Sequence, residues 1–132
     1  MYRRGYIGEY HAKKHLIEQF GEENVLKVAI SQKAPDYIIL KPLHAVEVKT
    51  RRKSKYTPRE HDIEQWKTIY EWSKKTKISV QYYILTKQKG KYIIEKISLS
   101  DYYLKYVKIY LQRKSDAMSG MSKNSDIHVD DK

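Results

Sequence analysis

The sequence predicts an α/β domain with a mixed five-stranded sheet flanked by helices, in the order helix, three strands, helix, two strands, helix. Two observations carry this. Apolar spacing along the chain switches between the helical period of 3.6 and the strand period of 2 in that order. Between the two groups of strands stands a strong helix-start signal, Thr57-Pro58-Arg59-Glu60. The length of 132 residues, with 40% hydrophobic and 33% charged side chains, is enough for one compact domain and too apolar for a disordered polymer.

The first helix is expected over Tyr6 to Phe20, where Ile7, Ala12, Leu16, Ile17 and Phe20 fall near one stripe and Gly21 follows as a stop. Val25 to Ile30 reads as a short strand. Tyr37 to Leu40 and Ala45 to Lys49 read as a hairpin joined through Lys41-Pro42-Leu43-His44, since Pro42 lacks the amide a ladder needs. After Thr57 as cap and Pro58 at the first helical position, the second helix places Ile63, Trp66, Ile69, Tyr70 and Ser73 on one stripe to about Lys75. Ser79 to Thr86 and Lys91 to Ile97 are strands around the turn Gln88-Lys89-Gly90. Ser100 to Gln112 is a closing amphipathic helix. Residues 1–112 form the expected domain, and 113–132 a polar tail too poor in aliphatics to repay the entropy of ordering.

Twenty-seven Lys and Arg against 16 Asp and Glu leave a formal charge of +11. The tail holds as many acids as bases, so all of that charge sits on residues 1–112. A small body carrying it repels itself unless a polyanion neutralises it, and nucleic acid is the first such partner. The apolar runs are too short to cross a bilayer, and the opening residues show no secretory pattern. The absence of Cys removes disulfides and thiolate chemistry. A cytoplasmic, nucleoid-associated protein without membrane contact is expected.

Chemistry concentrates in the hairpin. Glu47 and Lys49 share one face of their strand, and a short hairpin brings the start of its first strand, Asp36, opposite the end of its second. Two carboxylates and an ammonium then meet. Hard oxygen ligands suit Mg2+, or Mn2+, which neutralises phosphate oxygens and lowers the pKa of a bound water; a lysine can orient the nucleophile or stabilise charge gathering on phosphorus. The ordinary alternative is a solvent-facing Glu/Lys pair and an Asp in a turn. Directly after this strand, Lys49, Arg51, Arg52, Lys53, Lys55 and Arg59 put six cations into eleven residues, able to grip phosphates without reading sequence, and Arg3 and Arg4 offer a second grip.

Pro35-Asp36 and Glu47-Val48-Lys49 resemble the signature of the PD-(D/E)XK nucleases, in letter and order. The opening Met1-Tyr2-Arg3-Arg4-Gly5 followed by Glu9 resembles one family within them, the archaeal Holliday junction resolvases, over about residues 1–100. The resemblance implies a restriction-endonuclease-like domain and an Mg2+-dependent endodeoxyribonuclease that resolves four-way DNA junctions in recombination and repair. It also implies Glu9, Asp36 and Glu47 as metal-holding carboxylates, the Val48 carbonyl as a further ligand, Lys49 as the catalytic lysine and Ser31 as a functional serine in the loop before Pro35. Paired cuts require two active sites, hence a C2 homodimer bound to branched DNA, with no small-molecule cofactor. Other PD-(D/E)XK nucleases acting on ends or single strands, or a non-catalytic DNA binder on the same fold, remain as alternatives.

This chain departs from the resolvase pattern at Tyr10, where an arginine is common, and in Ile30-Ser31-Gln32-Lys33, which lacks the usual glycine. These departures bear on junction selectivity. In related nucleases a glutamine of the second helix is followed by tyrosine four residues later; here Gln65 is followed by Ile69, and Gln65 is not assigned. His11 and His15 lack the glutamate of a zincin motif. Tyr103, Tyr106 and Tyr110 at helical spacing are expected in core or dimer packing.

Overall fold

The computed structural model describes residues 2–28 and 33–127, with side chains described within 7–28 and 33–119. The elements are α1 (Tyr2–Phe20), β1 (Val25–Lys27), β2 (Tyr37–Leu40), β3 (Leu43–Thr50), α2 (Glu60–Thr76), β4 (Val80–Gln88), β5 (Lys91–Ser98), α3 (Leu99–Tyr102), a wider π-type turn over Tyr103–Val107, and α4 (Lys108–Ile127). One five-stranded sheet runs β1-β2-β3-β4-β5. All neighbours are antiparallel except β3 and β4, which the α2 crossover makes parallel. This is the mixed α/β architecture the periodicities predict. No helix among the described residues is long and apolar enough to cross a membrane.

Two cores sandwich the sheet. On one face α1 covers Tyr37, Ile39, Val46, Tyr83 and Leu85 with Ala12 and Leu16. On the other, α2 and the last helices cover Ala45, Tyr82 and Ile84 with Ile63, Ile69, Tyr102 and Val107. β4 is buried on both faces over Tyr82 to Leu85, as a strand parallel to its neighbour and covered by helices on each side requires. Gly8 lets α1 lie against the end of β3, because a Cβ there would meet Thr50 Cγ2 at 2.2 Å.

Several boundaries differ from expectation. The β2–β3 turn is tighter, with Leu40 paired to Leu43. The β4–β5 turn is the two residues Lys89 and Gly90, both at positive φ (51° and 79°), which suits the twist of the hairpin. Helix α2 starts later than Thr57 predicts. Its N-cap is Arg59, whose N–H donates to Asp62 Oδ2 at 2.8 Å, so Asp62 rather than Glu60 is the carboxylate that satisfies the helix start. The expected tail is corrected in its first part: α4 crosses residue 112 and continues to Ile127. Leu111 to Ser119 are all exposed, so this stretch is helical by propagation of the turn before it, not by burial. Tyr103, Tyr106 and Tyr110 pack half-buried against the α2-side core, as their spacing predicts.

Candidate active site

The register of the hairpin builds the site. Tyr37 pairs with Val46 on the α1 face, so the preceding Asp36 and the following Glu47 stand opposite each other on the α2 face. Asp36 also fills the ladder position that β2 vacates: Val48 N–H donates to Asp36 Oδ2 at 2.8 Å. An extended residue turns its N–H and C=O to the same edge, so the Val48 carbonyl faces this site too.

Glu47 is 2% exposed and Lys49 8%. Lys49 Nζ lies 3.4 Å from Glu47 Oε2, while Glu47 Oε1 is buried without a hydrogen-bond partner. Burial first, and then the neighbouring Asp36 charge, push the Glu47 carboxyl up to about 8 against the pull of Lys49. Burial likewise raises Asp36, opposed by the Val48 amide and Lys27 and reinforced by Glu9. Two carboxyls that resist ionising side by side, one with an orphaned oxygen, form a donor set that fits a hard divalent cation.

Glu9 is arranged differently. Lys27 forms an ion pair with Glu9 and lies 3.8 Å from Asp36 Oδ1, while Tyr37 OH donates to Glu9 Oε2 at 3.2 Å. The structure brings Glu9 to the same edge as Asp36, with the Lys27 ammonium between them. Among the described residues no three acids or imidazoles are grouped closely enough to hold an ion by themselves. The expected trio is thus an Asp36–Glu47 pair with Glu9 held off by Lys27.

On its other side Lys49 is anchored by α2. Its ammonium lies 3.2 Å from Asp62 Oδ1 and donates to Gln65 Oε1. Asp62 is itself buried, and its second oxygen accepts from Arg51 Nη2 at 2.6 Å. Burial alone would raise the Asp62 carboxyl, but Lys49, the Arg59 amide and Arg51 together hold it below its ordinary value. Asp62, Gln65 and Lys27 are therefore site residues that the motifs missed. The sequence signals for them are weak: a helix-start position for Asp62, and for Gln65 a second-helix glutamine that lacks the expected tyrosine partner, while Lys27 looks like any strand lysine.

The basic loop divides into two kinds of cation. Arg51 is partly buried: it donates to the Thr50 carbonyl at 2.9 Å, pairs with Asp62 and stacks over the Tyr56 ring at 4.8 Å. Arg52, Lys53 and Lys55 are exposed and have no carboxylate partner among the described residues. Their loop is held to β4 by Arg51 N–H to the Leu85 carbonyl (2.9 Å) and Lys87 N–H to the Lys53 carbonyl (3.1 Å). The Arg3 and Arg4 side chains, and Ser31 entirely, lie outside the described residues. Comparison with protein-family models and with curated proteins gives no match for this chain.

Proposed function

We propose that this chain is a metal-dependent endodeoxyribonuclease of the PD-(D/E)XK type, with a restriction-endonuclease-like domain, that resolves four-way DNA junctions as a homodimer. The observation that carries the reading is the facing Asp36–Glu47 pair with the unpartnered Glu47 Oε1 and Lys49 beside it. Asp36 and Glu47, with the Val48 carbonyl, would hold Mg2+ or Mn2+. Such an ion would supply neutralisation of phosphate oxygens and a lowered pKa for an attacking water. Lys49, fixed between Glu47, Asp62 and Gln65, presents an ammonium able to stabilise charge gathering on the scissile phosphate. Glu9, now paired with Lys27, would become a further carboxylate for the ion were Lys27 to pair with a DNA phosphate instead. The exposed Arg52, Lys53 and Lys55 grip the neighbouring backbone and supply affinity that falls with salt.

A second reading is a non-catalytic DNA binder on the same fold. The Lys27 ammonium favours it, since a lysine already serves as counter-ion to Glu9 and Asp36. Cleavage of a synthetic four-way junction, a linear duplex and a single strand, each with Mg2+ and with a chelator, separates the readings. Paired nicks confined to the junction and lost with chelator are expected. Equal rates on all three substrates remove the resolvase specialisation, and no cutting with Mg2+ or Mn2+ removes the nuclease.

A further inference from the structure

The same sheet face that carries Glu47 and Lys49 continues into a groove of about 870 Å3 between the β4–β5 hairpin and α4. Lys49 pairs with Ile84 of β4, and Ile84 with Glu95 of β5. Ile84 lines the groove, so it begins about 5 to 10 Å from Lys49, one or two interstrand spacings across the sheet. Tyr56, with Arg51 over its ring, also lines the groove. The loop that carries the exposed cations after β3 contributes Ser54 and Lys55 to the groove's lining.

The chemistry of its lining is mixed in a specific way. Ile93 and Ile109, both exposed, give it an apolar surface, and the half-buried Tyr106 and Tyr110 add ring edges and faces. Lys55, Lys105, Arg113 and Lys114 stand around this surface, against one acid, Glu95. Glu95 is already occupied: it pairs with Lys105 and accepts from Tyr106 OH at 2.7 Å. Lys114 pairs with Glu60 at 3.1 Å, whereas Lys55 and Arg113 have no carboxylate partner among the described residues. Another cavity, of about 490 Å3 along α2, sets two lysines against two glutamates and shows no such excess.

We propose that this groove binds a short unpaired stretch of DNA strand, its bases against the isoleucines and tyrosines and its phosphates on the surrounding cations. Apolar and aromatic surface beside unpaired positive charge is the combination that single strands use, since every base has a face to bury and every linkage a charge to neutralise. A duplex hides its base faces in the stack and offers the groove only phosphates. A second copy of this chain brings its own +11 and adds no charge complementarity to this basic rim, so the homodimer proposed above is assigned to another surface. The inference extends the proposed nuclease reading to a strand opened beside the cut, but it requires DNA binding only, not catalysis.

The test is anisotropy of fluorescein-labelled oligothymidylate and of a blunt duplex of equal length, at fixed ionic strength and with chelator present. Ile109→Asp and Tyr110→Ala each change a groove residue on the surface of α4, and Arg113→Gln removes an unpaired cation. Ile109→Asp and Tyr110→Ala should each lose about tenfold or more in oligothymidylate affinity while duplex affinity stays within about twofold, and Arg113→Gln, which removes a phosphate contact, should weaken oligothymidylate more than duplex. Neutralising Arg52 and Lys53 together should weaken both ligands. Equal loss on both ligands, no loss on the oligothymidylate, or competition by polyglutamate as effective as by unlabelled oligothymidylate overturns the assignment. A protein that binds the strand through the groove yet cuts nothing retains this inference and ends the nuclease reading. One that cuts junctions while the groove variants bind like wild type does the reverse.

Discussion

Around Asp36 and Glu47 carboxylate oxygens outnumber the donors that reach them, whereas around Lys49 each charge has a neighbour of opposite sign. The contrast lies within a few residues of one strand. Glu47 Oε1 is buried with no partner and its carboxyl is pushed up to about 8. Asp62, also buried, is held by Lys49, Arg51 and the Arg59 amide and stays below its ordinary value. Burying an uncompensated acid costs stability, and folds keep such a group where a ligand makes use of it. On the proposed reading the acid half awaits a cation from outside, whereas the lysine half is set before any ligand arrives.

The sharpest way to break this division is to remove the uncompensated groups. Asp36→Asn, Glu47→Gln and Lys49→Ala should each bring Mg2+-dependent junction cleavage to background, with affinity for uncut junction changed only a few-fold, because phosphate contacts elsewhere dominate binding. Single-turnover cleavage and electrophoretic binding measured on the same preparations decide it. An Asp36→Asn enzyme that cuts at the wild-type rate would show that the facing carboxylates are not where the chemistry happens.

A smaller loss is expected on the lysine side. Asp62→Ala strips Lys49 and Arg51 of their shared counter-ion and should lower stability by about 3 kcal/mol in denaturant unfolding. It should also slow cleavage without moving the DNA dissociation constant, since Lys49 keeps Glu47 and Gln65 but loses its third anchor. Asp62→Asn, which can still accept from the Arg59 amide, should fall between wild type and Ala. If Asp62→Ala unfolds like wild type, the lysine half is not held by this carboxylate.

How far the sequence foresaw this arrangement depends on range. The strands and helices were legible because their apolar periods and turn residues are local. The meeting of Asp36 with Glu47 was legible as well, since a hairpin of this length leaves little freedom in register. Gln65, Asp62 and Lys27 were not, because what brings them to the site is the crossover of α2 over β3 and the pairing of β1 with β2, neither of which marks an individual side chain. The length of α4 was missed for another reason: its exposed turns carry no amphipathic pattern, and the helix extends from the packed turn Tyr103–Val107 before it.

The finest test of the contrast is that the two buried carboxylates should move stability with pH in opposite senses. Glu47 has its folded value raised from 4.5 to about 8. In chelator-treated protein between those values, the unfolded chain has released this proton and the folded chain retains it. Stability must then fall as pH rises from about 5 to 8, and Glu47→Gln should become progressively more stable than wild type over that window. Asp62 has its folded value depressed, so its contribution is fully present above 3.8 and is lost only as pH falls through the folded value. The deficit of Asp62→Asn should therefore be flat from pH 5 to 8 and shrink in acid. Thermal midpoints of the two variants and wild type across pH 3 to 9 resolve both trends, each expected to be a few degrees. Mg2+ added at pH 8 should raise the wild-type midpoint and leave Glu47→Gln nearly unmoved. Parallel pH trends for the two variants would mean that the acids are equally compensated, and that the site makes no particular demand for an ion.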